Sequence, residues 1–292
     1  MKKRIKKIIY SNEKLKVLFI KYYVNRNRHK FYWILYKHPI FWIKFFLRVM
    51  GICNRQYKEL KQYKNLYKNR RCFIIATGPS LTIEDLQKLK GEVTFGMNSL
   101  CKVFEKSGWE TTYFIIQDHG AFLLLKDYLY KLKTSVLFHG DQWFTKEEEK
   151  GFQCKHIKFP RYYEHHGYDQ TNLHTKFSYD IYKIVYEAYT VAVATLQIAA
   201  YMGFSEIYLV GADCNYNMAD VDARYCMGMS YGYDSPHFIT LANKMIYAYS
   251  VAKKYLDKRG VKVYNATRGG CLEVFPRVDF DSVINKINSN DI

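Results

Sequence analysis

The apolar run Cys72-Phe-Ile-Ile-Ala-Thr77 stops at Gly78-Pro79-Ser80, and Thr82-Ile-Glu-Asp85 follows. The pattern reads as a strand, a turn and a capped helix start. Gly78 lets the backbone approach a ligand closely. Pro79 fixes the turn, and Ser80 can cap the helix or donate to a phosphate. Free amides at a helix N-terminus attract anions. The turn is neither a P-loop, since no Gly-Lys-Ser/Thr follows, nor a G-x-G-x-x-G fingerprint, and an ordinary strand-to-helix corner has the same residues. Other polar residues stand where apolar runs end: Asn98 and Ser99, Gln117 and Asp118, and Gly211 with Asp213. Together with Thr77, Gly78, Pro79 and Ser80 they form the expected binding set for a phosphate-bearing ligand. Asp213 would contact a ribose or cap the next turn.

His237, in Asp234-Ser-Pro-His237, precedes a long helical pattern and is the expected general base at neutral pH. His119 and the pair His165-His166 read as loop histidines. Tyr216, Arg224 and several tyrosines follow Asp213, where hydroxyls and a guanidinium can meet phosphate oxygens. Thr267-Arg268-Gly269-Gly270 is a donor-rich loop suited to an anion, with Arg268 as its cation. Asp220-Val-Asp222 and Asp279-Phe-Asp281 match the D-x-D pattern of many metal-dependent glycosyltransferases. The pattern is too short to exclude chance, and no metal site is assigned.

Positioning these residues requires a sheet. Beyond the run at 72–77, strands are expected at 93–97, 112–116, 135–138, 206–210 and 261–264. Helices are expected at 82–89, 122–132, 189–202 and 239–258. This alternation predicts an α/β domain of Rossmann-like type, a mainly parallel sheet with helices on both faces. Ligands of such sheets lie beyond the C-terminal strand ends. Residues 140–180 and 214–236 lack periodicity and read as long loops near the crevice.

The chain has 292 residues and a formal charge of +18, which points to anionic partners. Residues 1–70 are dense in Lys and Arg, with Glu13 and Glu59 the only acids. They form the first expected domain, a basic, aromatic N-terminal helical arm and linker. Residues 71–292 form the second. The stretch Phe31–Met50 has spanning length, but Lys37, His38, Pro39, Lys44 and Arg48 interrupt it, and Pro39 is expected to break it in two. Rings interleaved with cations suit a segment lying in an anionic membrane interface, and packing on the domain is the other reading. Residues 56–71 read as a polar helical linker. No signal peptide is read at the N-terminus. Seven scattered cysteines with no C-x-x-C pair argue against disulfides or zinc and for a cytoplasmic setting.

Four segments carry a family resemblance: F-I-I-A-T-G-P-S-L with M-N-S, E-I-Y-L-V-G-A-D-C-N-Y, S-P-H-F, and V-Y-N-A-T-R-G-G-C-L-E-V-F-P-R-V-D-F-D. Over residues 71–284 the chain resembles the MptE-like domain family of bacterial surface-polysaccharide loci. The layout is also similar to the sialyltransferases of glycosyltransferase family 42, with Thr77 standing where their motif has Asn. The resemblance implies an inverting glycosyltransferase. Its donor would be a nucleotide-activated, CMP-linked sugar, its acceptor a glycan or lipid-linked molecule, and it would require no metal. Gly78, Pro79, Ser80, Asn98 and Asp213 would hold the nucleotide, Tyr216 the leaving phosphate, and His237 would be the base. The other activity the resemblance implies is an ATP- and magnesium-dependent pterin pyrophosphokinase. A non-catalytic basic membrane adaptor is the third reading. The enzyme would sit peripherally on the inner face of the cell membrane, without nucleic acid, and the oligomeric state stays open.

Overall fold

A computed structural model describes residues 38–52, 55–141, 144–163, 173–215, 225–228 and 238–285. These fall in two compact units, one holding residues 38–52 and the other everything from residue 55. The first contains helix α1 (His38–Val49). Pro39 stands in its first turn, where its missing N–H costs no hydrogen bond. Residues 38–49 are one helix with Pro39 near its start, and the piece expected before Pro39 lies outside the described residues. The Arg48 guanidinium lies 5.4 Å from the centre of the Phe41 ring, and both residues are buried.

The second unit opens with a 3-10 helix, Arg55–Tyr63. Tyr57, Leu60 and Tyr63 recur every three residues, on one face of a 3-10 helix, and all three enter the core. The segment expected as a polar linker therefore covers the sheet. Strand β1 (Arg71–Ile75) leads to α2 (Ile83–Lys88). Thr82 caps α2 in a box with Asp85, as Thr82-Ile-Glu-Asp85 foretells. Next come β2 (Thr94–Met97), a 3-10 turn (Asn98–Lys102), α3 (Phe104–Ser107), β3 (Tyr113–Ile116) and α4 (His119–Leu129). They are followed by β4 (Val136–Gly140), α5 (Lys146–Glu149), β5 (His156–Phe159), β6 (Arg161–Tyr162) and β7 (Val185–Tyr186). The chain closes with α6 (Val191–Tyr201), β8 (Glu206–Val210), α7 (Phe238–Asp257), β9 (Lys262–Asn265) and α8 (Phe280–Asn285).

Seven strands form a parallel sheet in the order β5-β4-β3-β2-β1-β8-β9, and β6 and β7 pair separately. Alternate strand residues face opposite sides. Cys72, Ile74, Phe95, Ile115 and Leu209 join α6 and α7 on one face. Phe73, Ile75, Phe114, Ile116 and Val210 join α2 and α4 on the other. Burial on both faces explains why these strands read as continuous apolar runs. Strands β5 and β6 lie within the stretch 140–180 expected as loop, and β7 follows just after it. They are short, and none is a long apolar run.

Candidate functional site

The strand order reverses at β1. From there the chain runs outward through β2 to β5, then crosses back to β8 on the other side. Neighbouring loops diverge at such a switch point and leave a crevice beyond the strand ends. A cavity of about 280 Å³ lies there. Thr77, Gly78 and Pro79 after β1 and Gly211 and Asp213 after β8 line it, with Asn98, Gln117 and Asp118 on the far side.

The two turns that flank β1 and β8 are locked together. The Gly78 amide donates to the Gly211 carbonyl at 2.8 Å, and the Ser80 hydroxyl donates to Asp213 Oδ2 at 2.8 Å. A Cβ on Gly78 would lie 2.0 Å from Asp213 Oδ2 and 2.6 Å from the Gly211 carbonyl. Gly211 itself has φ 67°, a left-handed conformation that glycine adopts without strain. The Cys226 amide holds the Thr77 carbonyl at 2.8 Å. Asp213 is buried, and that burial raises its carboxyl pKa against the opposing pull of the Ser80 hydrogen bonds.

Behind Asp213 stands the loop after β9. The Thr267 hydroxyl accepts from the Ala212 amide at 2.9 Å, and the Cys271 amide donates to the Asp213 carbonyl at 2.6 Å. Gly270, at φ 74°, packs so close that a Cβ would lie 2.6 Å from Asp213 Cα. Arg277 gathers the carbonyls of Thr267, Gly269 and Gly270. This loop buttresses the site.

Three non-glycine residues that line the cavity adopt left-handed backbone: Asn98 (φ 49°), Tyr189 (φ 60°) and Cys214 (φ 50°). Each costs energy that the surrounding structure must hold in place, and such residues cluster at functional sites. Asp118 caps α4 through the Ala121 amide at 3.0 Å. Thr190 caps α6, whose first residues Val191 and Ala192 border the cavity. Gln117 is buried, and its Oε1 has no hydrogen-bond partner among the described residues. Beside it, Glu187 presents Oε2 in the same condition.

The family model described as 6-hydroxymethylpterin diphosphokinase MptE-like matches residues 51–218. The chain belongs to the MptE-like family. No curated protein matches it. Among solved structures, it is similar to the MAf glycosyltransferase from Magnetospirillum magneticum AMB-1 at 15% identity and a TM-score of 0.48. That similarity covers 78% of this chain and 39% of the other, so the MptE-like chain spans less than half of that protein's length.

The described lining of the MptE-like cavity holds three carboxylates, Asp118, Glu187 and Asp213, and no Lys, Arg or His. Carboxylates and an unsatisfied amide oxygen accept hydrogen bonds, so this wall is chemically suited to hydroxyls. Positive potential comes instead from the N-termini of α4 and α6, each 11 residues long.

Not every expected site residue is here. Ser99 is fully buried at the start of the 3-10 turn and does not line the cavity. Arg268 is likewise outside it, with NH1 on Asp85 at 2.5 Å and NH2 on Asp281 at 3.0 Å. In these pairs it ties the β9 loop to α2 and α8. Arg268→Ala should therefore cost about 1 kcal/mol, a melting shift of about 2–4 °C. Nucleotide affinity should stay within twofold, and a tenfold loss in a binding titration would restore the anion-loop reading. Asp281 pairs with Lys88 and Arg268, and Asp279 accepts from the Ser282 amide. That D-x-D pair is engaged in the fold. His237, Tyr216, Arg224, His165, His166, Asp220 and Asp222 lie outside the described residues. Among the described residues, no three His, Cys, Asp or Glu side chains converge as a metal site. Glu187 escaped the sequence reading. Its signal was an acid in Glu187-Ala-Tyr-Thr190, directly before a capped apolar helix.

Proposed function

We propose that this MptE-like protein is an inverting glycosyltransferase, taking a sugar from a nucleotide-activated, CMP-linked donor to a cell-surface glycan or lipid-linked acceptor. The observation that carries the reading is the switch-point cavity, where two interlocked glycine turns meet a wall of hydrogen-bond acceptors. Ribose and sugar hydroxyls donate to Asp213, Gln117 and the other carboxylates. Phosphates lie toward the helix N-termini, which favour the negative charge gathering on the leaving group. A nucleotide panel in a thermal-shift assay tests this. CMP or CDP should raise the melting temperature in the presence of EDTA, and no shift with any cytidine or uridine nucleotide would refute the reading.

The second reading is an ATP-dependent 6-hydroxymethylpterin diphosphokinase, and the description of the matching family favours it. That reaction would need magnesium, and Asp220 and Asp222, one of the acidic pairs that could serve it, lie outside the described residues. Stabilisation by ATP with magnesium, and none by cytidine nucleotides, would select this reading.

The N-terminal segment supports peripheral attachment to an anionic membrane surface, on the cytoplasmic face. Residues 1–70 carry 20 Lys and Arg against two acids, so the whole excess of +18 sits there, and residues 71–292 are balanced. On α1 and just beyond it, Ile43 and Phe46 are each 59% exposed, Met50 62% and Ile52 64%. No helix of the described residues is long and apolar enough to cross a membrane. Ile43→Glu with Phe46→Glu should weaken binding to phosphatidylglycerol vesicles by about tenfold or more, given roughly 1.5–3 kcal/mol for burying each such side chain. Salt should weaken the wild type as well. Cosedimentation unchanged by either would rule out this mode of attachment.

A further inference from the structure

Glu187 is held from both ends. Its amide donates to the Tyr162 carbonyl at 3.2 Å, and its carbonyl accepts from Gln117 Nε2 at 3.4 Å. The next two residues, Ala188 (φ 53°) and Tyr189 (φ 60°), are both left-handed without being glycine. The Thr190 amide then turns back to the Ala188 carbonyl at 2.7 Å, and Thr190 caps α6. A backbone constrained at every step places Glu187 in the lining of the cavity. That side chain leaves Oε2 shielded from bulk solvent and without a hydrogen-bond partner among the described residues. A carboxylate in the lining of a cavity with one buried oxygen left unpaired demands explanation, because a buried acceptor is costly to leave unsatisfied.

We propose that Glu187 is the proton acceptor of this cavity, taking the hydroxyl proton of the acceptor substrate. The proposal rests on the transferase reading. The acceptor oxygen forms its bond to the anomeric carbon as its O–H bond breaks and the proton passes to the Glu187 carboxylate. The bond from that carbon to the leaving phosphate oxygen breaks, and the phosphate keeps the electron pair. Position and protonation agree. Burial raises the carboxyl above its ordinary value, the Arg161 guanidinium from β6 pulls it down, Asp118 at the start of α4 pushes it up, and it comes to about 7. A base in that range is half ionised at neutral pH and still strong enough to take a proton in a transition state. In this proposal Glu187 takes the role that the sequence reading expected of His237, which lies outside the described residues.

Two experiments on the full chain test this. The first needs no ligand. The folded chain holds Glu187 protonated where the unfolded chain has released the proton, so wild-type stability falls as pH rises from about 4.5 to about 7. Glu187→Gln has no such proton to lose. It should melt with the wild type at pH 5 and several degrees above it at pH 8. A difference that does not change with pH overturns the assignment of Glu187. The second measures nucleotide release from CMP-, UDP- and GDP-activated sugars supplied with the polysaccharide acceptor. Glu187→Gln should keep CDP affinity within threefold and lose kcat at least 100-fold, and Glu187→Asp should recover part of the loss. Wild-type kcat should rise with pH and level off near 7. A Glu187→Gln chain with wild-type kcat and pH profile overturns the proposal. A wild-type chain that binds no nucleotide and turns over no donor overturns the transferase reading, and the melting comparison still decides whether Glu187 titrates as argued.

Discussion

Replacing Gly78 by Ala is expected to abolish nucleotide binding while leaving the sheet folded. The added methyl would enter the space of Asp213 Oδ2, 2.0 Å away, and of the Gly211 carbonyl, 2.6 Å away. Both contacts are shorter than real carbon neighbours allow. That carbonyl accepts from the Gly78 amide at 2.8 Å, so moving it aside would break the bond that joins the two turns. Asp213 must swing out and break its bond from Ser80. Overpacking of this kind costs roughly 1–3 kcal/mol of stability. The core faces of β1 and β8 are untouched, so the protein should still melt cooperatively. Binding should suffer more, because both lips of the cavity shift together. Calorimetric titration should show CDP affinity at least 50-fold weaker than wild type. Wild-type affinity in Gly78→Ala would mean that the ligand does not lie between these turns.

Asn265→Ala should be among the most destabilising single changes in the β9 region. Asn265 is fully buried at the end of β9. Its Nδ2 donates to the Leu272 carbonyl at 2.7 Å, and its Oδ1 accepts from the Thr267 amide at 3.0 Å. Its backbone pairs with Pro276 and Val278. Alanine keeps the backbone pairs but leaves one buried carbonyl and one buried amide unsatisfied, at roughly 1–3 kcal/mol each. A total of about 3 kcal/mol corresponds to a melting temperature lower by about 6–12 °C. The loop it pins is the one that braces Asp213, so affinity should fall with stability. Asn265→Asp keeps the Thr267 contact but sets a carboxylate oxygen against the Leu272 carbonyl in a buried site, so it should destabilise at least as much as alanine. A melting temperature within 2 °C of wild type would show that the loop is braced by other means, with Arg277 the first residue to test.

Much of the scaffold could be read from the chain because its physics is local. Each central strand is buried on both faces, so it announces itself as an unbroken apolar run. The capping box at Thr82 and Asp85 is written within four residues. The switch-point turns were legible for the same reason, since a polar or glycine residue that ends such a run has few other places to go. What was not legible depends on distant partners. Arg268 looked like an anion ligand because its partner Asp85 lies 183 residues away in sequence. The 3-10 helix at Arg55–Tyr63 looked polar because six of its residues (Arg55, Gln56, Lys58, Glu59, Lys61 and Gln62) are polar or charged and only three reach the core. Glu187 was passed over because its chemistry comes from the burial and backbone strain around it, and neither is a property of the letters.

The central claim is that a nucleotide sits beyond β1 and β8. Hydrogen–deuterium exchange on the full chain, with and without saturating CDP and with EDTA present, tests it most directly. Protection is expected at residues 76–81, 187–192 and 211–215, with β5 and α8 unchanged. Saturating CDP that protects none of these segments, or protects only residues remote from the switch point, would contradict it.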